Sequence, residues 1–136
     1  MPDPIELADR YVAVWNEPDA TARRVAIGEL WAEDGRHILQ PPEEVVKAAD
    51  DLGLTTVFEA RGHAELERRV RLAYEEFVAP GEFAFRRRDD VARLRDVVKF
   101  SWEMVATNGE VAGVGTEFLV LDGRDRIVAD YQFIEG

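Results

Sequence analysis

From Glu82 onward the chain reads with a period of two, and that reading is interrupted at Asn108-Gly109 and Asp122-Gly123. Asn-Gly and Asp-Gly suit tight hairpin turns, whose central residues take positive φ. Four strands are predicted near 82–88, 95–106, 111–121 and 126–134, the last three forming an antiparallel meander. An even-length loop at 107–110 sets Phe100 opposite Glu117, Trp102 opposite Gly115 and Met104 opposite Gly113. An even-length loop at 122–125 pairs Leu121 with Arg126, and hence Glu117 with Asp130. An odd loop or a bulge in either strand breaks that pairing.

Alternation then sorts the meander into two faces. One carries Phe100, Trp102, Met104, Gly113, Gly115, Glu117, Leu119, Val128, Asp130, Gln132 and Ile134. Bulky aromatics opposite glycines, with a few polar groups among apolar ones, describe a pocket wall. The other face carries Lys99, Ser101, Glu103, Thr116, Phe118, Val120, Ile127, Ala129, Tyr131 and Phe133, and its exposed aromatics suit a dimer interface. Two carboxylates side by side in such a pocket do not both ionise near neutral pH, so one of Glu117 and Asp130 is expected to keep a proton. The competing reading is a solvated face on which the acids keep the sheet soluble.

The first half is helical by periodicity. Residues 4–16 place Ile5, Ala8, Tyr11, Val12 and Trp15 on one stripe, and Asp19 is placed to cap a second helix over about 20–32. A strand over about 35–40 stops at Pro41-Pro42; "EEVVKAADDLG" is a short helix ended by Gly53, and "TTVFEARG" a short strand. The third long helix, 64–79, sets Leu66, Val70, Ala73, Tyr74 and Phe77 on one face. Helices followed by an antiparallel meander define an α+β domain, and 136 residues at 46% hydrophobic content are enough for one core. The segment 41–56 is longer than a loop needs and reads as a helical flap at the pocket mouth.

Charge narrows the partners. With 28 acidic against 17 basic residues the net charge is −11, which opposes nucleic acid and anionic membranes. The one basic run, Arg86-Arg87-Arg88, is followed at once by Asp89-Asp90. No apolar run is long enough to span a bilayer. The absence of cysteine removes thiolate chemistry and Cys-ligated zinc. The opening "MPDPIELADRYV" has no signal-peptide pattern, so a cytoplasmic protein is expected. No spacing of His, Asp and Glu matches a metal motif, and no Gly-rich loop follows a strand; neither metal nor cofactor is expected.

Taken together, the two leading helices, "ELWAEDGRHI", "ARGHAEL" and the closing "VGTEFLVLDGRDRIVADYQF" resemble the nuclear transport factor 2-like superfamily, in its SnoaL-like and ketosteroid isomerase-like branches. The resemblance spans residues 1–136 as one domain. It implies a cone, or cystatin-like α+β roll, in which a curved mixed sheet wraps the helices around an apolar pocket. It also implies a homodimer through the convex sheet face. Tyr11 and Glu117 fall where ketosteroid isomerases carry the two oxyanion-stabilising groups, but Leu39 or Gln40 stands where their proton-shuttling aspartate belongs. The Arg-x-Asp strand motif of limonene epoxide hydrolases is missing from "KFSWEMV", and His37, His63 and Asp130 only loosely imitate the acid/base groups of SnoaL-like cyclases.

The candidate catalytic residues are therefore Glu117 and Asp130, with Tyr11 as a polarising donor or core residue and His37 as an auxiliary base. Trp102, Phe100, Met104 and Gln132 are the expected ligand contacts, with Trp15 and Trp31 divided between ligand and core. His63 reads as a helix-capping residue, and Arg87 as a counter-ion for the acids if its strand turns it inward. The leading expectation is a cofactor-independent isomerase, cyclase or dehydratase acting on a small apolar carbonyl-type molecule. The alternatives are a ligand-binding module without chemistry and a dimerisation scaffold.

Overall fold

The computed structural model describes residues 3–41, 43–54 and 58–135. Helix α1 (Pro4–Asn16) is capped by Asp3 and α2 (Ala20–Leu30) by Asp19, whose side chain accepts from Thr21 N at 3.1 Å. Strand β1 (Trp31–Leu39) follows α2 without a linker, so Trp31 is the first strand residue rather than the end of the helix. Helix α3 (Glu43–Asp51) ends at Gly53, whose φ of +70° suits a residue without Cβ. The short strand β2 is Phe58–Arg61; the expected strand start at 55–57, and Pro42, lie outside the described residues. Helix α4 (Gly62–Ala73) passes into a π-helical turn, Tyr74–Val78.

The meander follows as β3 (Phe83–Arg87), β5 (Val97–Ala106), β6 (Val111–Leu121) and β7 (Ile127–Glu135), with a short β4 (Ala92–Leu94) that the alternation did not reveal. The sheet order is β2-β1-β7-β6-β5-β3, with β4 also on β5; every described pairing is antiparallel except β1 with β7. One face of this mixed sheet wraps α1, α2 and α4, and the core between them holds Leu7, Ala8, Val14, Ile27, Leu30, Leu66, Val70, Val98 and Leu119. Ile5, expected on the buried stripe of α1, is 46% exposed; Leu7 takes the inner position.

Both hairpins depart from even loops, with opposite consequences. At the first, Ala106 N donates to Glu110 O and Val105 pairs with Val111, an odd loop. A bulge between Val111 and Gly113 then restores the expected frame, and Phe100 faces Glu117, Trp102 faces Gly115 and Met104 faces Gly113. At the second, Asp122 accepts from Arg124 N and Arg126 N, Asp125 turns to φ +58°, and Leu121 pairs with Ile127 instead of Arg126. A bulge at Val128 shifts the frame once more in the same direction. Glu117 therefore lies opposite Gln132, and Asp130 opposite Leu119. Two single steps make a shift of two, so both acids keep the inner face although they are not direct partners. Ile127, expected outside, is fully buried, and Val128, expected inside, is the bulged residue.

Candidate functional site

The concave face of the sheet and helices α1 and α4 enclose a cavity of about 820 Å³. Its walls are mainly apolar and aromatic, among them Val12, Trp15, Leu39, Phe77, Phe85 and Met104. Its polar lining comprises Tyr11, His37, Arg69, Glu117 and Gln132, with Gln40, Glu43 and Glu135 also on the wall.

Glu117 is completely buried. Trp102 Nε1 donates to its Oε1 at 2.8 Å, which is possible because Gly115 leaves the space beneath the indole empty; a Cβ there would fall into the ring. Thus the glycine opposite Trp102 does not widen the cavity but seats the indole against the acid. Asp130, equally buried, accepts the Tyr11 hydroxyl at 2.5 Å. Glu117 Oε2 and Asp130 Oδ1 have no hydrogen-bond partner among the described residues. Burial, followed by the neighbouring Asp130 charge, pushes the Glu117 carboxyl well above the ordinary glutamate range; the Trp102 hydrogen bond opposes this. Burial and the same two acids push the Tyr11 phenol well up, so it remains a neutral donor.

His37 extends from β1, which pairs in parallel with β7 and sets His37 beside Asp130. Its Nε2 lies 2.6 Å from Gln132 Oε1 and 3.8 Å from Asp130 Oδ2. On the other side Arg69 NH1 reaches Nδ1 at 2.9 Å and the His37 carbonyl at 3.0 Å. A guanidinium only donates, so Nδ1 is the acceptor and the ring hydrogen sits on Nε2. Burial lowers the imidazole's proton affinity; Asp130 and Gln132 raise it and Arg69 lowers it. His37 therefore has no free lone pair with which to serve as the expected auxiliary base. The same tautomer bears on metal binding. His37, Glu117 and Asp130 bring ligand-type atoms within 4.8 Å of one another, but the imidazole offers a cation no free nitrogen.

The remaining expected residues divide. Met104, Gln132, Trp15 and Trp102 line the cavity. Phe100, expected at the ligand, and Trp31, divided between ligand and core, are wholly buried in the core, where their rings flank Tyr11 at 5.5 and 5.6 Å. Tyr11 combines both expected roles, its ring in the core and its hydroxyl on Asp130. His63 bonds the Trp31 carbonyl at 3.0 Å across to β1 instead of capping its own helix. Arg87 pairs with Asp9 and Asp89, away from the acids. The cation that reaches the site is Arg69, which the sequence reading missed. Its position, three residues after Leu66 and four before Ala73 on the apolar stripe of α4, was the available signal.

The helices, the curved mixed sheet and the enclosed cavity define the nuclear transport factor 2-like fold, in its SnoaL-like and ketosteroid isomerase-like form. Solved structures share it. A proposed isomerase of the SnoaL-like family from Agrobacterium tumefaciens superposes with a TM-score of 0.77 at 23% identity, over 97% of each chain. A SnoaL-like protein of unknown function from Burkholderia thailandensis gives 0.65 at 15% identity, over 98% of this chain and 94% of that one. A proposed polyketide cyclase from Sinorhizobium meliloti gives 0.61 at 12% identity, over 98% and 95%. No protein-family model and no curated protein matches the sequence.

Proposed function

We propose that the protein is a small enzyme that moves a proton on an apolar molecule carrying a carbonyl or a similar group, as an isomerase, cyclase or dehydratase. The observation that carries this reading is Glu117: a fully buried carboxyl beside Asp130, lining an aromatic cavity, whose proton affinity burial raises. Glu117 gives its proton to the substrate oxygen, and the resulting carboxylate takes a proton from a neighbouring carbon. The acid is thereby regenerated and the proton count balances. Asp130, held by Tyr11, keeps Glu117 poised, while Trp102 fixes its orientation. The solved structures named as isomerase and cyclase are consistent with this chemistry but share only the fold. The test is a carboxyl-carbon NMR titration. A carboxyl titrating well above 4.5 and lost in Glu117→Gln is expected; two buried acids titrating near 4 would end the mechanism.

A second reading, ligand binding without chemistry, is favoured by the near-complete burial of Tyr11, Glu117 and Asp130, which leaves little of the cluster open to a reactant. It predicts that Glu117→Gln keeps ligand affinity with no turnover to lose. In either case we place a second copy against the outer sheet face, where Tyr131 and Phe133 are 42% and 47% exposed. Phe133→Asp is then expected to convert a dimer to a monomer in sedimentation. No helix among the described residues is long and apolar enough to cross a membrane.

A further inference from the structure

Arg69 is the cation of the cavity wall, and its bonding is incomplete. Its NH1 makes both hydrogen bonds to His37. Its Nε and NH2 have no partner among the described residues and are not sealed from solvent. The ordinary helical partner of such an arginine is a glutamate one turn earlier. Glu65 occupies that position, but its Oε1 accepts the Arg61 backbone N–H at 3.0 Å, and no carboxylate of the described residues lies within ion-pair distance of Arg69. Other arginines also lack an ion pair, but among the residues lining this cavity Arg69 is the arginine. In a chain of net charge −11, a half-buried guanidinium without an ion pair, lining an apolar cavity, is a place left for an anion.

We propose that Arg69 anchors a carboxylate on the ligand, so that the cavity takes amphipathic organic acids: an apolar body among Trp15, Phe77, Phe85 and Met104, and an acidic head on Arg69. The fork of Nε and NH2 matches the two oxygens of a carboxylate, and NH1 pinned by His37 fixes the plane of the fork in advance. His37 stands between the anchor and the acid cluster. The assignment rests on the reading of the cavity as a small-molecule site, but not on turnover.

The test uses matched probes, decanoate and decan-1-ol, with binding followed by tryptophan fluorescence, since Trp15 and Trp102 line the cavity. Decanoate is expected to bind at least tenfold more tightly than the alcohol. In Arg69→Gln that preference is expected to disappear while the alcohol's affinity stays within twofold. Arg69→Lys, which keeps the charge without the fork, is expected to retain part of it. Equal affinities in the unaltered protein would overturn the anchor. So would an Arg69→Gln variant that weakens acid and alcohol alike, since Arg69 would then serve only to hold His37. Glu117→Gln is expected to keep the acid preference, so a failure of the proton-transfer mechanism and a failure of the anchor give different results.

Discussion

Tyr11 on the first helix donates its hydroxyl hydrogen to Asp130 on the last strand at 2.5 Å, joining the two ends of the sequence through a buried bond. Its ring is clasped by Trp31 and Phe100, so the donor is positioned by the core itself. Tyr11→Phe keeps the ring packing and removes the donor, leaving both Asp130 oxygens without that support. A buried acceptor stripped of its partner costs about 1–3 kcal/mol. A loss of that size in urea unfolding is expected, with the far-UV circular dichroism of the native state unchanged. A loss below a few tenths of a kcal/mol would mean that the bond contributes no stability.

Glu117 makes the protein's stability depend on pH in a definite direction. Its folded-state affinity for the proton is raised above the ordinary value of 4.5, so the native state holds a proton that the unfolded chain releases. That contribution is complete below the unfolded value and is lost as pH rises toward the folded one, by at most about 1.4 kcal/mol per pH unit. Glu117→Gln carries no such proton and keeps an oxygen for Trp102. Urea unfolding from pH 5 to pH 8 is expected to show the variant gaining on the unaltered protein as pH rises. Parallel curves would show that Glu117 does not keep a proton in the native state.

His37 is expected to show the opposite habit, staying neutral where an exposed imidazole would charge. Burial and Arg69 act against its protonation. Nitrogen-15 NMR is expected to find the hydrogen on Nε2 and a bare Nδ1 at pH 8, with protonation setting in only below the ordinary value of 6.5. An imidazole that titrates near 6.5 would remove Arg69 as its donor. Folding stability from this residue is present above the unfolded value near 6.5 and falls away as pH drops below it.

The seating of Trp102 over Gly115 gives a prediction about packing. Gly115→Ala places a methyl group where the indole lies, so the ring must leave and its bond to Glu117 must break. Overpacking of this kind costs about 1–3 kcal/mol. In Trp102→Phe the smaller ring gives way, so adding Gly115→Ala is expected to cost less than it does alone. Additive costs in the double-mutant cycle would show that the two positions are independent.

The fold was legible because local signals agreed. Apart from Ile5, the stripe of α1 survives in the structure, as do the Asp19 cap, the Gly53 stop and the alternation of β5 and β6. Two acids on one face were legible as well, since parity depends only on whether the frame shift is odd or even. Their partners were not. Residues 122–125 do not form the expected even loop, because the Asp122 side chain captures two backbone N–H groups and the loop opens to five residues. Arg69 escaped notice for another reason: a charged residue on the stripe of a helix reads as a stem reaching to the surface until the cavity it lines is known.

The bulge at Val128 supplies the last prediction, which runs against the usual cost of deletions in a strand. Removing one residue from a regular strand reverses the facing of all that follow. Val128, however, is the additional residue between Ile127, paired with Leu121, and Ala129, paired with Val120. Its deletion leaves those two pairs adjacent and turns the bulge into a regular ladder. Ile127 stays inside, Ala129 outside and Asp130 inside, so Asp130 still meets Tyr11. The cost is the altered bend of β7 and its fit to β1, which has its own irregularity between Trp31 and Arg36. Deletion of Val128 is therefore expected to give a folded protein that loses about 1–3 kcal/mol, as an ordinary destabilising change does. A raised carboxyl titration in that variant would place Glu117 and Asp130 still together. Deletion of Phe118, in regular pairing with Lys99 and Tyr131, is expected to abolish folding. If the two deletions behave alike, the frame of β7 is fixed by something other than this bulge.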